Sequence, residues 1–480
     1  MIIGREKEIA TLQGLLGSDE SQFVAVYGRR RVGKTFLIRE AYNYDFVFQH
    51  TGTYGATRNQ QLSDFRESLY NAGMGKCAMP KTWSDAFHLL WDFLKVMPVD
   101  GKKKVIFIDE LPWMDTPKSN FVRSLDHFWN AWVTTRKDII LVICGSATSW
   151  IIDNVIMNYG GLHNRLTCKV HLQPFCLREC KQYCESKNLG YKDRQILEAY
   201  MALGGIPYYW SFLKKGQSVA QNFDRMFFQM GGELSQEFDA LYASLFKKPR
   251  RHIAIITALA KKKSGLLREE VLKTSKLTDN TDFSKALQEL EQCGFIRKYT
   301  TIGKKNKDAI YQLIDNYTLF YFDFIRENVN GDEHFWTSQA GSSIHAGWAG
   351  RAFDRVCMQH VSQIKDALGF SAVVSSVHSW SYKGEKGPVS GKTIHKGAQI
   401  DLLIDRNDDT INLCEMKYTN AEYTITEEED EKIRNRKEAF VRETETEKTV
   451  LLTMITSFGL TPGGYSNDIH CQLTMADLFR

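Results

Sequence analysis

Two groups of residues in this chain have the types and the spacing of chemical machinery. The first is Gly28-Arg29-Arg30-Arg31-Val32-Gly33-Lys34-Thr35, which has the form G-x-x-x-x-G-K-[ST]. The glycines let the backbone wrap so that its N–H groups converge on phosphate oxygens. The lysine reaches the β- and γ-phosphates, and the threonine hydroxyl suits Mg2+. Farther on, the apolar run Val105-Ile106-Phe107-Ile108 ends in two acids, Asp109 and Glu110. After a loop of this kind, Asp109 is placed to hold Mg2+ with Thr35, and Glu110 to polarise an attacking water. These residues predict binding and hydrolysis of a nucleoside triphosphate, Mg2+-ATP.

The second group is Asp401, Glu415 and Lys417. Glu415 and Lys417 stand two apart on a predicted strand and so project from the same face. Asp401 lies on the preceding predicted strand, joined to theirs by a short connection from Asp405 to Asp409. Two carboxylates bind a hard divalent ion, Mg2+ or Mn2+. A nearby lysine assists a nucleophile or stabilises charge developing at phosphorus.

The elements that must carry these residues are legible in outline. Phe23 to Tyr27, Phe46 to Phe48, Val105 to Ile108 and Ile139 to Ile143 are short runs rich in β-branched and aromatic residues. Such runs suit buried parallel strands, and with helical stretches between them they predict an α/β core over residues 1–172. Residues 173–246 read as a helical lid. Residues 247–325 read as short helices followed by a β-hairpin, the outline of a winged helix, and 326–345 as a linker. Residues 346–480 form a second α/β unit, with a Gly- and Lys-rich loop over 383–396.

Length and composition bound the rest. At 480 residues the chain needs several domains, and its 43% hydrophobic and 25% charged content is ordinary for a globular protein. The longest apolar run, 139–144, is of strand length, and no secretory leader opens the sequence, so neither a membrane span nor export is expected. Ten scattered cysteines fit a reducing cytoplasm. Cys176, Cys180 and Cys184 recur every fourth residue on one predicted helical face. Without a Cys-x-x-Cys pair or a fourth ligand, they read as a packed small-residue face rather than a zinc site. A net charge of +5 is too small to predict a nucleic-acid partner by itself. Locally it differs: no acid occurs between Asp239 and Glu269, whereas Lys247, Lys248, Arg250, Arg251, Lys261, Lys262, Lys263 and Arg268 do. The hairpin turn adds Lys304, Lys305 and Lys307. A patch of this kind predicts contact with the phosphate backbone of DNA.

Residues 1 to about 325 resemble the AAA-like, STAND-related ATPases of archaea and some bacteria, within the ASCE division of P-loop folds. The stretches that carry the resemblance are Ile3-Gly4-Arg5-Glu6, Gly28 to Thr35, Ile108 to Pro112, Cys144-Gly145-Ser146, His163-Asn164-Arg165, Gly204 to Pro207, and Asp315-Asn316-Tyr317 with the aromatics to Phe324. The resemblance implies that Ser146 senses the γ-phosphate and that Pro207 lies near the base. Arg165 stands where such proteins carry a sensor or arginine finger, and the equal alternative for it is a surface ion pair. It also implies a homo-oligomer as one working form. Residues 346–480 resemble the PD-(D/E)xK nucleases, a restriction-endonuclease-like fold. Gly350 to Asp354 match that family's first helix, whose acid joins the metal site. Asp354 stands where Glu is usual, and Ile400 replaces the proline of the motif. Two expectations result: an ATPase coupled to DNA binding and metal-dependent cleavage, or a nucleotide-switched DNA-binding regulator whose nuclease-like domain is inactive.

Overall fold

The computed structural model of the chain describes residues 2–157, 161–162, 164–300, 302, 309–339, 341–386 and 393–480. By its contacts the chain divides into two compact units. One comprises Met1–Pro174 with Ala243–Lys247, the other Phe175–Tyr242 with Lys248–Arg480.

The first unit is built on a parallel sheet of β1 (Gln22–Tyr27), β2 (Phe48–Thr51), β3 (Lys104–Asp109), β4 (Ile139–Gly145) and β5 (Cys168–His171), in the order β2-β3-β4-β1-β5. Every residue of β3 and β4 is buried, which is why these strands read as unbroken apolar runs. On one face Phe23, Ile106 and Leu141 pack against Trp83, Phe87, Phe121 and Phe128 from neighbouring helices. Two elements differ from the sequence expectation. The second strand begins where the run 46–48 ends and continues through the polar Gln49, His50 and Thr51, because its ladder to β3 pairs Phe48 with Ile106 through Thr51 with Asp109. β5 was not expected: Cys-Lys-Val-His is short and half polar, as befits an edge strand paired only with β1.

In the second unit, helices Leu177–Ser186 and Asp193–Leu203 precede a group made of helix Pro249–Ala260, β6 (Leu266–Leu267), helices Arg268–Ser275 and Thr281–Gln292, and the hairpin β7 (Ile296–Tyr299) and β8 (Ile310–Leu313). These strands form an antiparallel sheet in the order β6-β8-β7. The turn lysines Lys304, Lys305 and Lys307 lie outside the described residues. The stretch 326–345 is not an open tether. Trp336 is 1% exposed, packed among Phe223, Phe320, Phe324 and Trp348. The buried Asp224 carboxylate accepts the Trp336 N–H at 2.7 Å and so caps helix Phe335–Ser338. Burial of one large indole outweighs the polar, Gly-containing composition that suggested a linker.

The C-terminal part adds β9 (Ser375–Tyr382), β10 (Glu385–Lys386), β11 (Thr393–His395), β12 (Ala398–Arg406), β13 (Thr410–Lys417), β14 (Thr449–Thr456) and β15 (Cys471–Thr474). The main sheet runs β15-β14-β13-β12-β9. β9, β12 and β13 are antiparallel neighbours, and β13, β14 and β15 parallel ones. Helix Glu427–Thr444 lays Ile433, Ala439 and Phe440 on Ile400, Leu403, Ile411 and Leu413 of one face. β10 and β11 pair inside the expected Gly- and Lys-rich loop, of which 387–392 lie outside the described residues. No helix among the described residues is long and apolar enough to cross a membrane.

Candidate active sites

The loop 28–35 leaves β1 at its carboxyl end and leads into helix Lys34–Ala41, the position at which open parallel sheets place ligands. Its path depends on backbone conformations that L side chains avoid. Gly28 has φ +142, and a Cβ there would lie 2.3 Å from the Leu172 carbonyl oxygen. Gly33 has φ +93, and Arg31 also adopts a left-handed φ of 70. Lys34 is 5% exposed, and its ammonium donates to the carbonyl oxygens of Gly28, at 2.9 Å, and Arg29, at 3.0 Å. The charge is therefore held over the mouth of the loop, where phosphate oxygens would take over its hydrogen bonds.

β3 delivers the two acids. Asp109 is 4% exposed and accepts from Thr35 Oγ1 at 2.8 Å and from the Glu110 N–H at 2.8 Å. Glu110 sits in a left-handed conformation, φ 46, which turns its side chain away from the strand. Its carboxylate is gripped at both oxygens by Ser146, whose N–H donates to Oε2 at 3.0 Å and whose hydroxyl donates to Oε1. The motif residues Thr35, Asp109, Glu110 and Ser146 thus form one connected hydrogen-bonded set. Gly145, just before Ser146, allows a close approach: a Cβ there would come within 2.5 Å of Pro112.

Arg165 stands apart from this set. It is exposed on a turn, and among the described residues it makes no hydrogen bond or ion pair with residues 28–35, Asp109 or Glu110. His163 lies outside the described residues. Pro207 opens helix Pro207–Trp210 in the second unit. The glycines before it serve packing, since a Cβ at Gly205 would meet the Phe175 carbonyl oxygen at 1.8 Å. Arg5 is 6% exposed and donates to the Gln173 carbonyl at 2.7 Å, which ties the N-terminal stretch down.

In the C-terminal sheet, Glu415 and Lys417 do project together, with Lys417 Nζ 3.1 Å from Glu415 and 3.1 Å from Glu429. Burial alone would lower the Lys417 pKa, but Glu415, Tyr423 and Glu429 outweigh it and hold the ammonium above its usual value. Asp401 stands at a bulge, where the pairing of β12 with β9 slips between Ile400 and Leu403. Its Oδ1 accepts from Gln399 at 2.7 Å. Asp354, on helix Ser343–Gln359, is pushed up to about 7, first by burial and then by the charges of Asp401 and Glu415.

The three carboxylates are therefore electrostatic neighbours, yet the expected convergence on one ion is not formed. Among the described residues no group of three His, Cys, Asp or Glu side chains is arranged to hold a metal. The reason lies in the competing cations. Arg436, a residue the sequence pattern did not single out, donates to Glu415 at 2.6 Å from helix Glu427–Thr444, and Lys417 takes the other oxygen. Cys180 and Cys184 are buried and Cys176 precedes the helix they share, as a packed face.

The basic segment is also altered by folding. Lys263 pairs with Asp323 at 2.6 Å, Arg251 with Asp282 at 2.8 Å, Lys262 with Glu270 at 3.3 Å and Arg268 with Asp279 at 2.5 Å. Lys248, Arg250 and Lys261 are exposed and take no ion pair among the described residues. Helix Thr281–Gln292, the last before the hairpin, carries Asp282, Glu289 and Glu291 against the single cation Lys285.

Residues 2–213 match the model of an ATPase domain predominantly from Archaea. Over 431 residues the chain is 24% identical to the uncharacterized protein MJECL04 of Methanocaldococcus jannaschii, covering 87% of this chain and 88% of that one. Among solved structures, the Walker-type ATPase PABY2304 of Pyrococcus abyssi aligns with a TM-score of 0.45 and 18% identity over 66% of this chain and 95% of that chain. The ORC2 protein of Aeropyrum pernix aligns with a TM-score of 0.40 and 14% identity over 70% of this chain and 95% of that one. The matched segment, residues 2–213, contains the loop 28–35, Asp109, Glu110 and Ser146, and is similar to archaeal ATPase domains.

Proposed function

We propose that the first unit binds Mg2+-ATP and hydrolyses it, and that nucleotide state is coupled to DNA through the second unit. The observation that carries this is the connected set Thr35, Asp109, Glu110 and Ser146, with Lys34 held over the mouth of the loop beside it. These residues come from three separate segments, following β1, β3 and β4, and meet at the carboxyl ends of the strands. Residues 28–35 wrap the phosphates and Lys34 neutralises them; Thr35 and Asp109, joined at 2.8 Å, are the residues that would hold Mg2+, which would supply charge neutralisation at the phosphates. Glu110 polarises the attacking water. In the structure Ser146 holds the Glu110 carboxylate, and would leave it to meet the γ-phosphate. Arg165, being exposed, acts from one copy on another in a homo-oligomer.

The order of helix, strand, two helices and hairpin over residues 249–313 supports a winged-helix reading. The charge distribution supports backbone contact by Lys248, Arg250, Lys261 and the turn lysines, rather than base reading by the acidic helix Thr281–Gln292. For residues 346–480, the mixed five-stranded sheet with acids at the bulge and at Glu415 supports a nuclease-like domain. Asp354, Asp401 and Glu415 would hold Mg2+ or Mn2+ once Arg436 is displaced, with Lys417 beside them. A second reading is favoured by the Arg436–Glu415 pair itself: the site is closed by cations and the domain binds without cutting.

One assay separates these. The full chain is incubated with linear and circular DNA, with Mg2+ or Mn2+, with and without ATP. ATP hydrolysis with cleavage supports the first reading. Hydrolysis with retention but no cleavage supports the second. Absence of Mg2+-dependent ATP binding in folded protein overturns both.

A further inference from the structure

β4 runs between β1 and β3, so its carboxyl end is wedged between the phosphate loop and the acidic pair. Cys144 occupies that end, in register with Val26 of β1, and is fully buried. Its sulfur is in hydrogen-bond contact with Asp109 Oδ1, and Lys34 and Glu110 are among its electrostatic neighbours. A thiol is an S–H donor at neutral pH, whereas an ionised carboxylate only accepts. Asp109 thus receives three donors on two oxygens. Glu110 N–H and Cys144 S–H share Oδ1, which leaves Oδ2 to the Thr35 hydroxyl. An apolar side chain would fill the same space on an otherwise apolar strand, Ile139 to Ile143, but would supply no donor.

We propose that Cys144 is a positioning residue for the Mg2+ site, fixing the Asp109 carboxylate so that one oxygen stays with Thr35. This rests on the proposed ATP site and adds to it a residue outside the phosphate-loop and acid-pair motifs. Thr35 would offer its hydroxyl oxygen to the ion while its O–H goes on donating to Asp109 Oδ2. A carboxylate free to rotate loses that alignment, and the ion's affinity falls while contacts to the phosphates themselves are spared.

The test is calorimetry of ATP binding to the full-length protein, across a Mg2+ titration and in chelator, for wild type, Cys144→Ala, Cys144→Ser and Cys144→Val. The Ala variant should need roughly three- to tenfold more Mg2+ for half-maximal enhancement of ATP binding, the equivalent of one weak hydrogen bond to a charged group. Its affinity for ATP in chelator should match wild type. The Ser variant, which retains a donor, should return the Mg2+ requirement to near the wild-type value. If Ala does not fold, Val makes the same comparison with the space filled. An unchanged Mg2+ requirement in Ala or Val overturns the proposal, as does a Ser variant as impaired as Ala, which would mark a packing role. Wild-type protein that binds ATP with no dependence on Mg2+ overturns the metal part of the proposed site as well, so the two failures are told apart by the wild-type curve alone.

Discussion

Replacing Glu110 by Gln separates the two jobs assigned to it. In the structure both carboxylate oxygens accept from Ser146, one from its N–H at 3.0 Å and one from its hydroxyl. A glutamine keeps one acceptor and turns an NH2 toward the other donor, so the latch loses at least one bond to a charged group. Such bonds contribute about 1.5–3 kcal/mol. If Ser146 must leave Glu110 to reach the γ-phosphate, ATP binding in the native chain works against that latch. Relief of about 1.4 kcal/mol of it tightens ATP binding about tenfold. ADP has no γ-phosphate to draw Ser146 away, so its affinity should not move. Hydrolysis, deprived of the charge that polarises water, should fall by roughly a hundredfold to ten-thousandfold. Calorimetry with Mg2+-ATP and Mg2+-ADP, followed by single-turnover hydrolysis, reads all three quantities. Equal changes for ATP and ADP would refute the exchange of partners by Ser146. Turnover at the wild-type rate would refute the role of Glu110.

Gly28→Ala places a Cβ 2.3 Å from the Leu172 carbonyl at φ +142, a combination of strain and overlap costing about 2–4 kcal/mol. Gly33→Ala meets nothing within 4 Å and should lower the melting temperature of the nucleotide-free protein by less; equal melting temperatures would show that the close approach to Leu172 is not the constraint. His360 is held at about 4 by burial; its Nδ1 donates to the Val356 carbonyl at 2.8 Å and its Nε2 accepts the Leu177 N–H at 3.0 Å. The folded state keeps this ring neutral while the unfolded chain protonates near 6.5, so stability present above that pH should decline as pH falls toward 4, by up to about 3 kcal/mol. His50 is lowered to about 4 as well, also by burial, so urea midpoints at pH 7.5 and 5 should be compared with those of His360→Gln. The variant should start less stable and lose less, and an identical loss would clear His360 of the effect. Lys417→Ala should abolish metal-dependent DNA cleavage and leave ATP hydrolysis intact, since the two sites belong to different units; cleavage persisting in that variant, measured on linear duplex with Mn2+, would remove Lys417 from the chemistry.

What the sequence determined by itself was local. The spacing from Gly28 to Thr35 and the apolar run into Asp109 and Glu110 are contiguous patterns, and each needs only its own strand or turn to be read. The alternation that puts Glu415 and Lys417 on one face is likewise a property of eight consecutive residues, Thr410–Lys417. Tertiary structure decided everything that depends on a partner distant in the chain. The segment without acids between Asp239 and Glu269 reads as a bare positive patch, but Asp279, Asp282 and Asp323 fold back onto Arg268, Arg251 and Lys263. The polar composition of 326–345 concealed Trp336, whose burial requires Phe223 and Phe320 from elsewhere. Cys144 looked like one more apolar residue of a strand until the order β3-β4-β1 set its sulfur against Asp109. Arg436 became a partner of Glu415 only when helix Glu427–Thr444 packed on the sheet. A side chain's type and period are written in its neighbours along the chain, whereas its charge state, its hydrogen-bond partners and its exposure are set by groups that only folding brings within a few ångströms.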